Sequence, residues 1–145
     1  MFKKILIPMD GSEQSLKALK IAVNLQESFD CELIILTVFR HHSLLETSMS
    51  MVRSEEPEIM DDILRKHASE VAESGKALAL DMGAKRVRAF VKNGHPSRTI
   101  VSFSKDKDID LIILGSRGHG DLEGFLLGSV SHKVTSLAKC PVMVV

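Results

Sequence analysis

The 145-residue chain contains no Trp and no Tyr, and aromatic residues make up only 4% of it. The usual platforms on which proteins stack nucleobases are therefore missing. Nor is there an excess of either charge, since 19 Lys and Arg face 19 Asp and Glu. Without a global basic field, a nucleic-acid partner is not expected. Long apolar runs are absent too. "LIILTVF" and "LIILG" are far too short to cross a bilayer, so no membrane partner is expected. The opening "MFKKILIPMD" places basic residues before apolar ones, as a signal peptide does. However, Asp10 interrupts that run and no small-residue cleavage site follows. It reads as a strand, and the expected location is cytoplasmic. Cysteine is scarce: Cys31 and Cys140 are far apart and form no C-x-x-C. They read as inert thiols in a reducing compartment.

What is present is an alternation. Five short runs rich in Ile, Leu and Val read as strands: Lys4–Met9, Glu32–Phe39, Arg86–Val91, Asp110–Gly115 and Pro141–Val145. Several are apolar on consecutive residues, the pattern of strands covered on both faces. Helical stretches separate them. The first has Ser12 as N-cap and Leu16, Leu19, Ala22, Val23 and Gln26 along one side. The second opens at Pro57, has a stripe of Ile59, Ile63, Val71 and Leu78, and stops at Gly83. The third opens at Pro96, and the last turns Val130, Val134 and Leu137 inward. The expectation is one α/β domain over residues 1–145. It has an open, five-stranded parallel sheet of order 3-2-1-4-5 with helices on both faces. Arg40–Glu56 exceeds the usual connection length and reads as a mobile surface loop or a functional flap.

In that strand order the crevice lies at the carboxyl ends of strands one and four. Those ends are Met9-Asp10-Gly11 and Leu114-Gly115-Ser116. The stretch "LGSRGHGDLEGFLLGSV", with five glycines, begins there. Gly115 and Gly118 allow close backbone approach or a sharp turn. Gly128-Ser129 opens a helix, whose first amides attract anions. Ser129 and Ser131 can add hydroxyls, and Arg117 a forked cation suited to phosphate. No G-x-x-x-x-G-K-[ST] occurs. The glycines at 118, 120 and 124 miss G-x-G-x-x-G and follow strand four rather than strand one, so a dinucleotide motif is a poor match.

The spacing Gly115-x2-Gly118-x9-Gly128-Ser129 resembles the G-2x-G-9x-G-[S/T] signature of nucleotide-binding universal stress proteins. The resemblance spans the chain, from "KILIPMDGSEQSLKAL" through "GHPSRTIVSFSKDKDIDLIILGSRG" to "CPVMVV". It implies a Rossmann-like fold of the adenine nucleotide alpha hydrolase type and a site for ATP, AMP or ADP, with Mg²⁺. Pro8, Met9 and Asp10 would border the adenosine, with Asp10 near the ribose or the metal. Val38 would form part of the adenine wall. Leu114, Gly115, Arg117 and Gly118 would follow the ribose and phosphates. Gly128, Ser129, Val130 and Ser131 would hold the phosphates. Arg117 stands where many relatives have His.

Three functions are open at this stage. One is a nucleotide-dependent regulatory or stress-response module that passes its occupancy to a protein partner. Another is a slow ATP hydrolase or nucleotidyl transferase. The third is a protein-interaction module with a vestigial cleft. The intact signature disfavours the last. No activated nucleophile or oriented base is visible, so no catalytic residue is assigned. Asp10 also reads as a turn or capping residue. His119 and Asp121 read as solvated loop residues, with His119 the reserve base, and His41 and His42 lack a metal-ligand spacing. "PVMVV" is an edge strand without lysine or bulge, which invites pairing into a homodimer.

Overall fold

The computed structural model describes residues 1–40, 56–118 and 127–145. The expectations placed on His41, His42, His119 and Asp121, and on residues 41–55 of the long connection, lie outside those residues. The described chain alternates strand and helix throughout. It runs β1 (Lys4–Pro8), α1 (Glu13–Phe29), β2 (Glu32–Phe39), α2 (Glu56–Asp81), β3 (Val87–Asn93), α3 (Pro96–Asp106), β4 (Leu111–Leu114), α4 (Ser129–Leu137) and β5 (Val142–Val144). The sheet order is β3-β2-β1-β4-β5, and every pairing is parallel.

The consecutive apolar runs follow from the two covered faces. Ile5 and Ile7 of β1, Leu33 and Ile35 of β2, and Leu111 and Ile113 of β4 point to one side. There they pack on Ala18, Leu19, Ala22 and Val23 of α1 and Ala72 and Ala79 of α2. Leu6, Ile34, Leu36, Ile112 and Leu114 point to the other side, against Ile100 and Phe103 of α3 and Val134 of α4. A strand with period two must then be apolar at every position. Each fully buried Leu or Ile contributes about 1.5–3 kcal/mol relative to exposure.

Helix ends follow the local rules. Ser12 caps α1, its Oγ accepting from Ser15 N at 3.2 Å. Gly83 ends α2 at φ +98°. Gly83 N donates to Leu80 O and Ala84 N to Ala79 O, both at 3.0 Å, which forms a Schellman motif.

Two expected faces are corrected. Ile59 and Ile63 are 57% and 55% exposed, and α2 instead buries Ala68, Ala72 and Ala79. Gly75 shares that face, where a Cβ would stand 2.7 Å from Met9 Sδ. Small residues let the long helix lie close to the sheet, and the expected Val71 and Leu78 pack half-buried beside them. Leu137 is 51% exposed, leaving Val134 as the buried anchor of α4.

Candidate functional site

β1 leads straight into the cleft. Met9 N donates to Leu36 O at 2.9 Å, which extends the β1–β2 ladder one residue beyond Pro8. Asp10 Oδ1 then accepts from Ser12 N at 2.9 Å, closing a tight turn around Gly11 at φ +84°. That positive φ is a glycine conformation. The turn aims Asp10 outward and starts α1 at once. Asp10 is thus both the turn aspartate and a residue of the cleft, so its two readings are compatible.

β4 leads to the facing wall. Gly115 passes so close to α1 that a Cβ there would lie 2.6 Å from Gln14 Cβ and 2.9 Å from Gln14 C. The glycine serves the contact between strand end and helix start. Ser116 then ties three elements together. Its N–H donates to Val145 O at 2.7 Å, and its carbonyl accepts from Gly128 N at 2.6 Å and from Ser131 Oγ at 2.7 Å. Ser116 fixes where α4 begins, a role that sequence reasoning did not assign. Ser131 Oγ also lies 3.1 Å from Gly128 O, so its single proton is shared between two carbonyls. Ser131 therefore holds the wall together, while Ser129 at the helix start is exposed.

These walls enclose a cavity of about 330 Å³. Pro8, Met9, Asp10 and Val38 line it from the β1–β2 side. Leu114, Gly115, Arg117 and Gly118 line it from β4, and Ser129, Val130 and Ser131 from α4. Gly128 lies behind the wall as the N-cap of α4, held to Ser116. Six further lining residues were not anticipated: Ser12, Ser15, Leu36, Arg40, Pro96 and Ile100. Pro96 and Ile100 bring in α3, whose approach depends on the sheet's three-dimensional order. Ser15 was hidden because it sits inside a helix, where its Oγ donates to Ser12 O at 2.8 Å.

The lining has an apolar floor of Leu36, Val38, Ile100 and Leu114 and a polar wall of serines and glycines. Its charged side chains are Asp10, Arg40 and Arg117. Such a mixture can hold a flat apolar ring at one end and an anion at the other. Among the described residues, no three His, Cys, Asp or Glu side chains converge on a metal position. A lone carboxylate beside an anion site suits Mg²⁺, which takes one or two carboxylates plus substrate phosphates. Both thiols are held above their ordinary pKa by burial and lie outside the cleft lining. No described helix is long and apolar enough to cross a membrane.

The fold and cleft define an open, doubly wound α/β architecture of Rossmann-like order, with its candidate site at the strand carboxyl ends. The universal stress protein family matches residues 1–145, and the chain belongs to that family. It is 36% identical over 148 residues to universal stress protein YxiE of Bacillus subtilis (strain 168), covering 100% of this chain and 99% of that protein. Among solved structures, it resembles MJ0577 with a TM-score of 0.84 and 32% identity, over 100% of this chain and 96% of that one. A universal stress protein solved in complex with cAMP shares the fold, with a TM-score of 0.70, 22% identity and coverage of 99% and 96%.

Proposed function

We propose that the cleft binds an adenine nucleotide, with ATP and Mg²⁺ as the principal ligand. The observation that carries this reading is convergence. Asp10, Val38 and the stretch holding Gly115, Gly118 and Ser129, far apart in sequence, line one cavity. Its volume of about 330 Å³ lies within the usual range for small-molecule sites, roughly 300–1,000 Å³. The adenine lies against Val38, the ribose and metal lie near Asp10, and the phosphates lie along Gly115, Arg117, Gly118 and the start of α4. The cAMP complex of a fold neighbour supports the choice of base.

The role that follows is a cytoplasmic, nucleotide-dependent regulatory module acting in the stress response. Amides, hydroxyls and arginine stabilise phosphate in the ground state as well as in the transition state, which gives affinity without rate. Asp10 is the sole carboxylate among the described lining residues and is taken up by its turn and the metal. Turnover falls far below the roughly 1–10³ s⁻¹ of typical enzymes. The module works as a homodimer through β5. The two sheet edges support this: β3 carries Arg88 and Lys92, whereas β5 is Val142, Met143 and Val144, with Met143 37% exposed.

Denaturing the purified protein and identifying the released small molecule tests the ligand. An adenine nucleotide in near-stoichiometric amount is expected, and a different ligand class refutes the reading. Phosphate release with Mg²⁺ and saturating ATP tests the role. Sustained turnover near one per second, lost in an Asp10→Ala variant that still binds ATP, would make the protein an enzyme instead.

A further inference from the structure

Four basic side chains gather on the rim of the cleft where α3 and α4 begin, and none has been given a role in binding. Arg40 follows β2 and lines the cavity. Gly94 N donates to Phe39 O at 2.9 Å, so Arg40 and His95 each follow one partner of that bond. His95 is the N-cap of α3 and makes no side-chain capping bond, and Arg98 is three residues on. Lys133 is four residues beyond Ser129 on α4, so it stands one turn above a lining residue on the same helix face. α3 and α4 pack on the same face of the sheet, which brings their first turns together at the strand carboxyl ends. Arg40, His95, Arg98 and Lys133 are all exposed, and among the described residues none has an ion-pair partner.

Asp10 shares the cavity with Arg40, and Asp106 shares a neighbouring hollow with Arg98, yet the like charges of the rim still repel one another, and an anion relieves that cost. We propose that this rim is a second phosphate subsite, continuous with the cleft through Arg40 and Pro96. It takes a phosphoryl group on the rim between Arg40, the start of α3 and Lys133 of α4, beside the phosphates at the start of α4. Arg40 and Arg98 supply planar forks for phosphate oxygens, and Lys133 a point charge. The subsite deepens the nucleotide reading by giving the cleft a second anionic anchor. That anchor receives either the ligand's own terminal phosphates or a free phosphate ion.

His95 reports on the site. Local desolvation and the positive charges of Arg40 on the β2 end, Lys133 on α4 and Arg98 on α3 hold its imidazole below the ordinary histidine range. An anion among those cations raises its pKa, because it favours the protonated ring. The experiment follows the His95 ring signals by NMR through a pH titration. It compares the protein alone, with AMP, with ATP, and AMP-saturated with inorganic phosphate added. An Arg40→Ala/Arg98→Ala/Lys133→Ala variant is run in parallel, with nucleotide affinity measured by calorimetry in both proteins.

An upward shift with ATP but not AMP, absent in the variant, supports capture of the ligand's own phosphates. A shift when phosphate is added to AMP-saturated protein, again absent in the variant, supports a free anion. The variant without ligand should already titrate higher than the parent. If neither ATP nor phosphate moves His95, or if the shifts persist in the variant, the subsite is refuted. Calorimetry separates this from failure of the nucleotide reading. Normal ATP binding with an unmoved His95 refutes only the rim, and absent nucleotide binding with a phosphate-sensitive His95 refutes only the nucleotide.

Discussion

Replacing Gly115 by Ala tests how the cleft walls are held. The new Cβ would lie 2.6 Å from Gln14 Cβ and 2.9 Å from Gln14 C. Carbon pairs prefer about 3.5–4.0 Å, so relief needs a shift of roughly 1 Å. Gln14 Cβ and C are anchored in the first turn of α1, which Ser12 caps, so no flexible side-chain tip can yield in their place. Overpacking of this type costs about 1–3 kcal/mol. For a domain of this size each kcal/mol lowers Tm by roughly 2–4 °C, so a fall of about 2–12 °C is expected. Because β4 and α1 carry opposite cleft walls, separating them also moves Arg117 away from Asp10. Nucleotide affinity should therefore fall together with stability. Thermal melts with and without ATP, with calorimetry on the folded variant, provide the assay. A Tm within about 1 °C of the parent would show that the contact between β4 and α1 does not constrain the fold.

Other changes have equally specific outcomes. Ser131→Ala removes the hydroxyl shared by Ser116 O and Gly128 O and should cost about 0.5–1.5 kcal/mol in urea unfolding, because α4 then loses a tie to β4. Ser12→Ala removes the α1 cap and should cost about 0.5–2 kcal/mol by the same assay, with little effect if the cap is dispensable. Burial raises both thiol pKa values, so native Cys31 and Cys140 should react with a thiol reagent near pH 8 much more slowly than in denaturant. The same shifts give stability that is present below the unfolded thiol pKa and lost as pH rises through the folded one. Light scattering at micromolar concentration should report twice the 16.0 kDa chain mass, and a monomer there would remove β5 as an interface.

Much of this architecture was legible in the sequence because local rules and the fold agree. The unbroken apolar runs of β1, β2 and β4 gave the doubly covered parallel sheet, and Ser12 and Gly83 marked helix ends by their own chemistry. The cleft was legible once strand order placed Asp10 beside Gly115. What escaped depends on distance between elements. Ala68, Ala72, Gly75 and Ala79 recur at steps of four, three and four, a visible close-packing stripe, but the expectation followed the larger side chains, of which Val71 and Leu78 pack on the core while Ile59 and Ile63 do not. Arg40, Pro96 and Ile100 reach the cleft only because the chain ends after β2 and β3 meet, through Gly94 N and Phe39 O. Ser116 escaped because its role is carried by its backbone, which no side-chain pattern reveals.

The central claim is that an adenine nucleotide sits in the cleft with its phosphates along the glycine loop. Calorimetric titration of ATP with Mg²⁺ into the wild type and a Gly118→Glu variant tests it most directly. The substitution puts a carboxylate in the cleft wall where the phosphates should lie, and circular dichroism confirms that the variant is folded. One ATP per chain bound by the wild type, with binding abolished in the folded variant, is the predicted result. Unchanged affinity in the folded variant, or no adenine nucleotide bound by the wild type, would contradict the account.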